Sequence, residues 1–388
     1  MSKLKVLFLH SAYSTLGGED VSLEVDAQLL CDHGHEVVIS MWPNSNLGRF
    51  KAGGRQIWSN KTWREVATTV ENTQPDVVDV ANTSWALGPS AIASLHAMDV
   101  PIVARLNNER LRFGMRELIR EPYNGSRMQS AALVLGNALH RRRTWARKVD
   151  RFVAVSQYIR DRMADAGLTR ISVRGDTVYP APKFQPEPGD RFLFVGRICP
   201  EKGVPVLLEA WKQLPGLQLD IVGKLSAQPR EQVGVKWHGA LPHEQVLDMM
   251  AKARAVIVPS VWPEPSGRVV YEAMACGTPV ITSDAGGLPE AQPAMIADLG
   301  VPKMLATLVR YAADWPPDEA VRQRLVARAT WEKYASPERQ LEKLIGNYEL
   351  AIARRAARKH PRFVVGDLDD PATREHLARF DAARRTEQ

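Results

Sequence analysis

The densest chemistry in this 388-residue sequence lies between Pro259 and Glu290. Glu264 and Glu272 stand eight positions apart there, and Ser266, Gly267, Arg268 and Val269 lie between them. The apolar run ending at Pro259 predicts a buried strand, and the spacing of apolar residues beyond predicts a helix beginning near Ser266. The amides of Ser266, Gly267 and Arg268 then have no partner inside the helix, and the helix dipole favours an anion in front of them. Glycine at 267 lets a phosphate approach closely. Carboxylates just before the helix and two turns inside it accept hydrogen bonds from hydroxyls, as a sugar or a ribose requires. Two unrelated glutamates, one complementing the dipole and one solvated, would give the same spacing.

A second cluster runs from Val195 to Gly203, with Arg197 and Lys202 flanking a predicted strand-to-helix turn. Two cations at such a turn can clamp a diphosphate. A surface pair with Glu201, worth about 0–1 kcal/mol, is the plainer alternative. Gly17 and Gly18 follow the first predicted strand but form neither a G-x-G-x-x-G fingerprint nor a G-x4-G-K-[ST] loop. Dinucleotide dehydrogenases and Walker-type ATPases are disfavoured accordingly. The histidines form no metal spacing; His238 follows a strand and is expected to line the site. Asp367 and Asp369 copy a metal-binding pair within a charged tail. Asn124 to Ser126 is a glycosylation sequon without meaning in a cytoplasm.

Positioning these residues falls to alternating strands and helices. Leu4–Leu9, Glu36–Ser40, Asp76–Val80, Ile102–Leu106 and Arg151–Val155 are predicted strands separated by helical patterns. Pro180, Pro182, Pro186 and Pro188 then break regular structure. The pattern restarts with strands at Arg191–Val195, Leu217–Val222, Val256–Pro259 and Val280–Thr282. The expectation is an α/β chain of two facing, doubly wound Rossmann-like domains, residues 1–180 and 181–335, with the ligand in the cleft between them. A long helix at 336–359 is expected to pack along both domains, and a charged tail occupies 360–388.

Composition fits a globular enzyme: 45% hydrophobic, 24% charged and 7% aromatic, which excludes collagen, a disordered tail protein and a disulfide scaffold. Cys31, Cys199 and Cys276 are too scattered for a zinc site or a disulfide framework. No signal-peptide pattern precedes the first strand, and the longest weakly polar run, Ser130–Leu139, falls short of the ~20 residues a membrane span needs. A cytoplasmic protein is expected. The net charge is +7, yet residues 105–151 alone carry twelve Arg and Lys against four acids. Phe113, Met115, Leu118, Ile119 and Trp145 are interleaved with them. That window suits a peripheral contact with anionic lipid at the inner membrane face, or an anionic acceptor. A solvated basic surface explains it equally well. A nucleic-acid partner ranks last, because it leaves the glutamate pair and the cation loop without a role.

Taken jointly, these motifs resemble the signature of the retaining glycosyltransferases of the group 1 class, glycosyltransferase family 4, which have the GT-B fold. The resemblance rests on Glu264 and Glu272; on the run from Glu272 through Cys276 and Gly277 to Pro279 and Val280; on Gly286, Gly287, Pro289 and Glu290; on Gly196, Arg197, Lys202 and Gly203; and on Gly17 and Gly18 followed by Gly34 to Val37. It implies a metal-independent transfer of a hexose-type sugar from a nucleotide donor, such as a UDP-sugar or GDP-sugar, to an acceptor hydroxyl, with no further cofactor. The acceptor would be a polysaccharide, a lipid-linked glycan or a small molecule. Arg197 and Lys202 would neutralise the leaving diphosphate, Glu264 would contact sugar hydroxyls and Glu272 would hold the ribose. The amides of Ser266 to Val269 would meet sugar or phosphate, and Gly18 the diphosphate. Gly223, Lys224 and Leu241 would border the base. Two positions depart from the pattern: Ser266 stands where the family usually has an aromatic residue, and Asn107 stands where it often has histidine. Asn107 keeps a sugar contact but cannot titrate. A nucleotide-sugar-binding regulator or an epimerase on the same fold is the alternative that those departures leave open.

Overall fold

The computed structural model describes residues 3–12, 17–43, 54–55, 57–83, 86–112, 127–224 and 231–359. The chain forms two compact units. The first takes residues up to Ala154, then Arg160–Val173 and the chain from Leu341 onward; the second takes Val155–Ile159 and Arg174–Gln340.

The strands are β1 Lys5–Ala12, β2 Glu36–Pro43, β3 Val77–Asn82, β4 Ile102–Leu106, β5 Arg151–Ala154 and β6 Ile171–Val173 in the first unit. The second holds β7 Phe192–Val195, β8 Leu219–Val222, β9 Val235–Gly239, β10 Ala255–Val258, β11 Val280–Ser283 and β12 Met295–Ala297. Helices of eight residues or more are α1 Gly18–Asp32, α2 Asn60–Thr73, α3 Gly88–Ala97, α4 Arg127–His140, α5 Gln157–Asp165, α6 Val204–Trp211, α7 His243–Lys252, α8 Arg268–Ala275, α9 Pro302–Ala313, α10 Pro317–Ala335 and α11 Pro337–Lys359.

In the first unit the six strands pair in parallel in the order β2-β1-β3-β4-β5-β6. Val6, Leu7, Phe8 and Leu9 of β1 have no exposure, as a continuous apolar run between two helical layers should. Beneath them lies a buried polar knot. Arg105 on β4 meets Asp26 of α1 at 2.6 Å and grips Asp79 of β3 through two bonds of 2.8 and 2.9 Å. The Tyr348 hydroxyl on α11 donates to the same Asp79 at 2.7 Å. Burial opposes the charge on Arg105, but Asp79 and then Asp26 more than offset it and hold the guanidinium protonated. Arg355 on α11 reaches Asp150 at 2.6 Å. These bonds bring α11, from Leu341 onward, into the first unit.

The second sheet is also parallel, in the order β12-β11-β10-β7-β8-β9. The chain winds outward from β7 through β8 to β9, then crosses back to β10 on the other side. β7 and β10 are therefore the strands at which the order reverses, and their carboxyl ends open a crevice that helices cannot fill.

β6, β9 and β12 were not among the expected strands. All three are sheet edges. β6 and β9 have no buried residue, and β12 has one, Ala297, so none presents the apolar run by which the inner strands are read.

Removing one partner of the buried knot leaves charge unpaired in the core. Asp79→Leu should lose about 3–5 kcal/mol of stability, read from the urea midpoint.

Candidate active site

The loops after β7 and β10 lie side by side in the second unit. The Glu201 carbonyl accepts the amides of both Val261, at 3.0 Å, and Trp262, at 3.1 Å. Gly203 permits this approach: it has φ +73°, and a Cβ added there would stand 1.7 Å from the Pro259 carbonyl oxygen. The Lys202 ammonium thereby meets Glu264 Oε1 at 2.6 Å, and Ser260 Oγ donates to the same oxygen at 2.6 Å. Glu264 is buried while Arg197, on the same loop as Lys202, is exposed. Behind Glu264 the backbone pairs with Gly286, and Gly287 N–H donates to the Glu264 carbonyl at 2.7 Å. A Cβ at Gly286 would lie 2.4 Å from that oxygen, and one at Gly287 2.6 Å from the Pro265 oxygen, so the glycine pair is required by backbone packing.

Helix α8 begins at Arg268, two residues later than expected, with Gly267 as its N-cap. Gly267 has φ +106°, and a Cβ there would meet Leu288 Cδ2 at 2.4 Å. Backbone conformation and packing thus account for this glycine without a phosphate. Glu272 is buried one turn further on. Arg268 Nε donates to it at 2.9 Å and His243 Nε2 lies 3.9 Å away. Burial pushes the Glu272 carboxyl above the usual range, opposed by the charges of Arg268 and His243. Ser266 Oγ and Arg268 Nη1 are buried without a hydrogen-bond partner.

Gly223 follows β8 and donates to the Gly239 carbonyl at 2.8 Å. A Cβ there would stand 1.8 Å from the Gly196 oxygen, so Gly223 lets the strand end support the Arg197 loop. Lys224 is exposed, and Leu241 packs on the unit's core. His238 departs from expectation: it lies within β9, and its Nε2 is 2.7 Å from Asp220, which also takes two bonds from Arg191. That bond engages one ring nitrogen of His238.

The first unit gathers Asn107 and Gly18 at the carboxyl ends of its own strands. A small cavity beyond β3 and β4 is lined by Glu19, Asn82, Thr83, Asn107, Asn108 and Arg110. Asn107 Nδ2 donates to the Ala81 carbonyl at 3.3 Å, and Asn108 Nδ2 to Glu19 at 2.7 Å. The Gly17 amide donates to Asp20 Oδ2 at 2.7 Å, so Gly17 shapes the turn. Gly18 opens α1, and a Cβ there would meet no atom within 4 Å. Among the described residues, no packing demands its glycine.

Sequence reasoning missed Ser260, which shares Glu264 with Lys202. No spacing rule marks it; only the folded loop brings it there. Phe113, Met115, Leu118 and Ile119 of the basic window, the Asn124 to Ser126 sequon and the Asp367 and Asp369 pair lie outside the described residues. Among the described residues no three His, Cys, Asp or Glu side chains gather as metal ligands, and no helix is long and apolar enough to cross a membrane.

Two family descriptions divide the chain. Residues 178–296 match the glycosyl transferases group 1, and residues 18–174 match Glycosyltransferase Family 4. The chain is 28% identical to the glycogen synthase of Mycobacterium tuberculosis over 320 residues, which are 74% of this chain and 70% of that protein. It is 40% identical over 112 residues to the D-inositol 3-phosphate glycosyltransferase of Mycolicibacterium smegmatis, 25% of this chain and 26% of the relative. Among solved structures, Anabaena HepE in complex with UDP-glucose superposes with a TM-score of 0.61 at 18% identity, covering 88% of this chain and 98% of that one. A glycosyltransferase from Rickettsia africae gives 0.65 at 16%, covering 91% and 99%. At these identities the structural likeness carries the fold. The chain belongs to the group 1 glycosyltransferases and has the two-domain GT-B fold. It is a glycosyltransferase.

Gly203→Ala should force the two loops apart. The expected cost is about 2–4 kcal/mol, from left-handed strain plus overpacking, measured as a lowered denaturant midpoint.

Proposed function

We propose that the chain moves a hexose-type sugar from a UDP-sugar or GDP-sugar to an acceptor hydroxyl, with retention at the anomeric carbon and without a metal ion. The observation that carries this reading is the Lys202–Glu264–Ser260 contact beside the strand-order reversal of the second sheet. A cation and a carboxylate are already paired there, between an exposed arginine and a helix start. A nucleotide sugar needs each of them.

In this reading Arg197 and Lys202 meet the negative charge that grows on the diphosphate as the bond from C1 to the phosphate oxygen breaks. Glu264 accepts from donor-sugar hydroxyls, and the amides of Ser266 to Val269 face sugar or phosphate. Glu272 accepts from the ribose diol. Gly223, Lys224 and Leu241 border the base, and the open amide of Gly18 contacts the diphosphate. Asn107 hydrogen-bonds sugar or acceptor but takes no proton. The acceptor proton therefore passes to the leaving phosphate oxygen as the acceptor oxygen bonds C1. The Anabaena structure with UDP-glucose supports a nucleotide sugar as donor. The charge of residues 105–151 supports a lipid-linked or anionic acceptor reached from the cytoplasmic side.

Incubating the protein with UDP- and GDP-sugars and an acceptor extract, then measuring released nucleoside diphosphate, tests the transfer. The anomeric coupling in the product tests retention: an inverted product overturns it. Arg197→Ala should cut turnover by about 100-fold or more with the melting temperature unchanged, and Lys202→Ala should cut it at least as far while lowering the melting temperature, because it leaves buried Glu264 without its cation. Near-normal turnover in both would remove the clamp.

The raised Glu272 carboxyl gives a pH signature. Because it protonates at higher pH than a free glutamate, nucleoside diphosphate binding should weaken as pH falls toward 5 and recover as pH rises. In Glu272→Gln this acid limb should vanish, as titration calorimetry across pH would read.

A further inference from the structure

We propose that His10 is a positioning residue for the donor: acting through Asp20, it fixes the turn that presents the Gly18 amide. The inference rests on the reading of Gly18 as a diphosphate contact.

His10 sits near the end of β1, the strand flanked by β2 and β3, with no exposure. Its Nε2 lies 2.7 Å from Asp20 Oδ1. Asp20 is itself buried at 4% exposure, and its other oxygen takes the Gly17 amide at 2.7 Å. An ionised carboxylate only accepts, so Nε2 carries the hydrogen. Among the described residues the second ring nitrogen, Nδ1, is buried without a partner. The bond to Asp20 is therefore what holds the imidazole among the described residues. A polar ring is costly inside a strand that otherwise reads Val6, Leu7, Phe8, Leu9, where an apolar residue would pack at lower cost.

The relay His10, Asp20, Gly17 links a rigid strand end to the first turn of α1. It does two things for an incoming anion. It fixes the amides of Gly18 and Glu19, the first helical positions, in one direction. It also keeps the Asp20 carboxylate turned inward. Without the imidazole donor only the Gly17 amide holds that charge, which can then turn toward the first-turn amides, where it would repel a diphosphate. The effect falls on donor affinity and leaves acceptor affinity alone.

The test compares His10→Phe, which keeps bulk but no donor, with His10→Gln, which keeps an N–H. UDP and GDP dissociation constants, both KM values, kcat and melting temperature are measured. His10→Phe should raise the nucleoside diphosphate dissociation constant and the donor KM by about tenfold at unchanged acceptor KM, and His10→Gln should recover most of that loss. Unchanged affinity in His10→Phe, an equal loss in both variants, or a loss on acceptor KM overturns the proposal. If His10→Phe does not fold, Asp20→Asn serves: its one carbonyl oxygen can accept from Nε2 or from the Gly17 amide but not both, so the relay is broken and the same donor-specific loss should appear, and wild-type affinity there overturns the proposal as well. Lys202→Ala is measured alongside. If it loses affinity and the His10 and Asp20 variants do not, this inference alone fails. If the wild type binds neither UDP nor GDP, the proposed function fails and this inference falls with it.

Discussion

The second unit depends on one constraint: the segments leaving β7 and β10 must run in contact. A parallel sheet whose strand order reverses leaves exactly two neighbouring carboxyl ends with no helix above them, and here a single carbonyl, that of Glu201, ties their loops through two amides. Everything chemical follows from that tie. It sets Lys202 against Glu264, and it demands glycine at 203, where a side chain would strike Pro259. A buried carboxylate left alone would be costly, so Lys202 and Ser260 stabilise Glu264 in place. The same contacts leave a cation standing at the crevice, held by the fold before any ligand arrives.

The glycines around this tie divide by what would happen to a side chain at each. At Gly203, Gly223, Gly286 and Gly287 an added Cβ meets backbone oxygen at 1.7 to 2.6 Å, and those residues are fixed by the protein's own packing. At Gly18 it meets nothing. Among the described residues, nothing packs where a side chain at Gly18 would stand, at the first position of a helix. The motif therefore mixes two kinds of glycine that are identical in the sequence.

The inner strands were readable because burial on both faces demands apolar residues at every position, as in Val6 to Leu9. Edge strands such as Ile171–Val173 and Met295–Ala297 carry no such demand and were missed. The eight-residue interval between Glu264 and Glu272 was legible because helix periodicity and capping are local properties. The start of α8 was not, since Pro265 and Ser266 look like a helix opening while the left-handed backbone of Gly267 delays it. Contacts such as Tyr348 with Asp79, 269 positions apart, have no local signature at all. The same is true of Ser260: its role exists only once two loops have met.

The two units treat buried charge differently, and the difference bears on the chemistry. In the first, Arg105 is saturated by Asp26 and Asp79 two residues before Asn107, which anchors the end of β4. In the second, Lys202 has one carboxylate partner and remains partly exposed, and Arg197 stands open beside it. The first arrangement is closed by the chain's own carboxylates, whereas the second leaves positive charge uncommitted at the carboxyl end of its sheet.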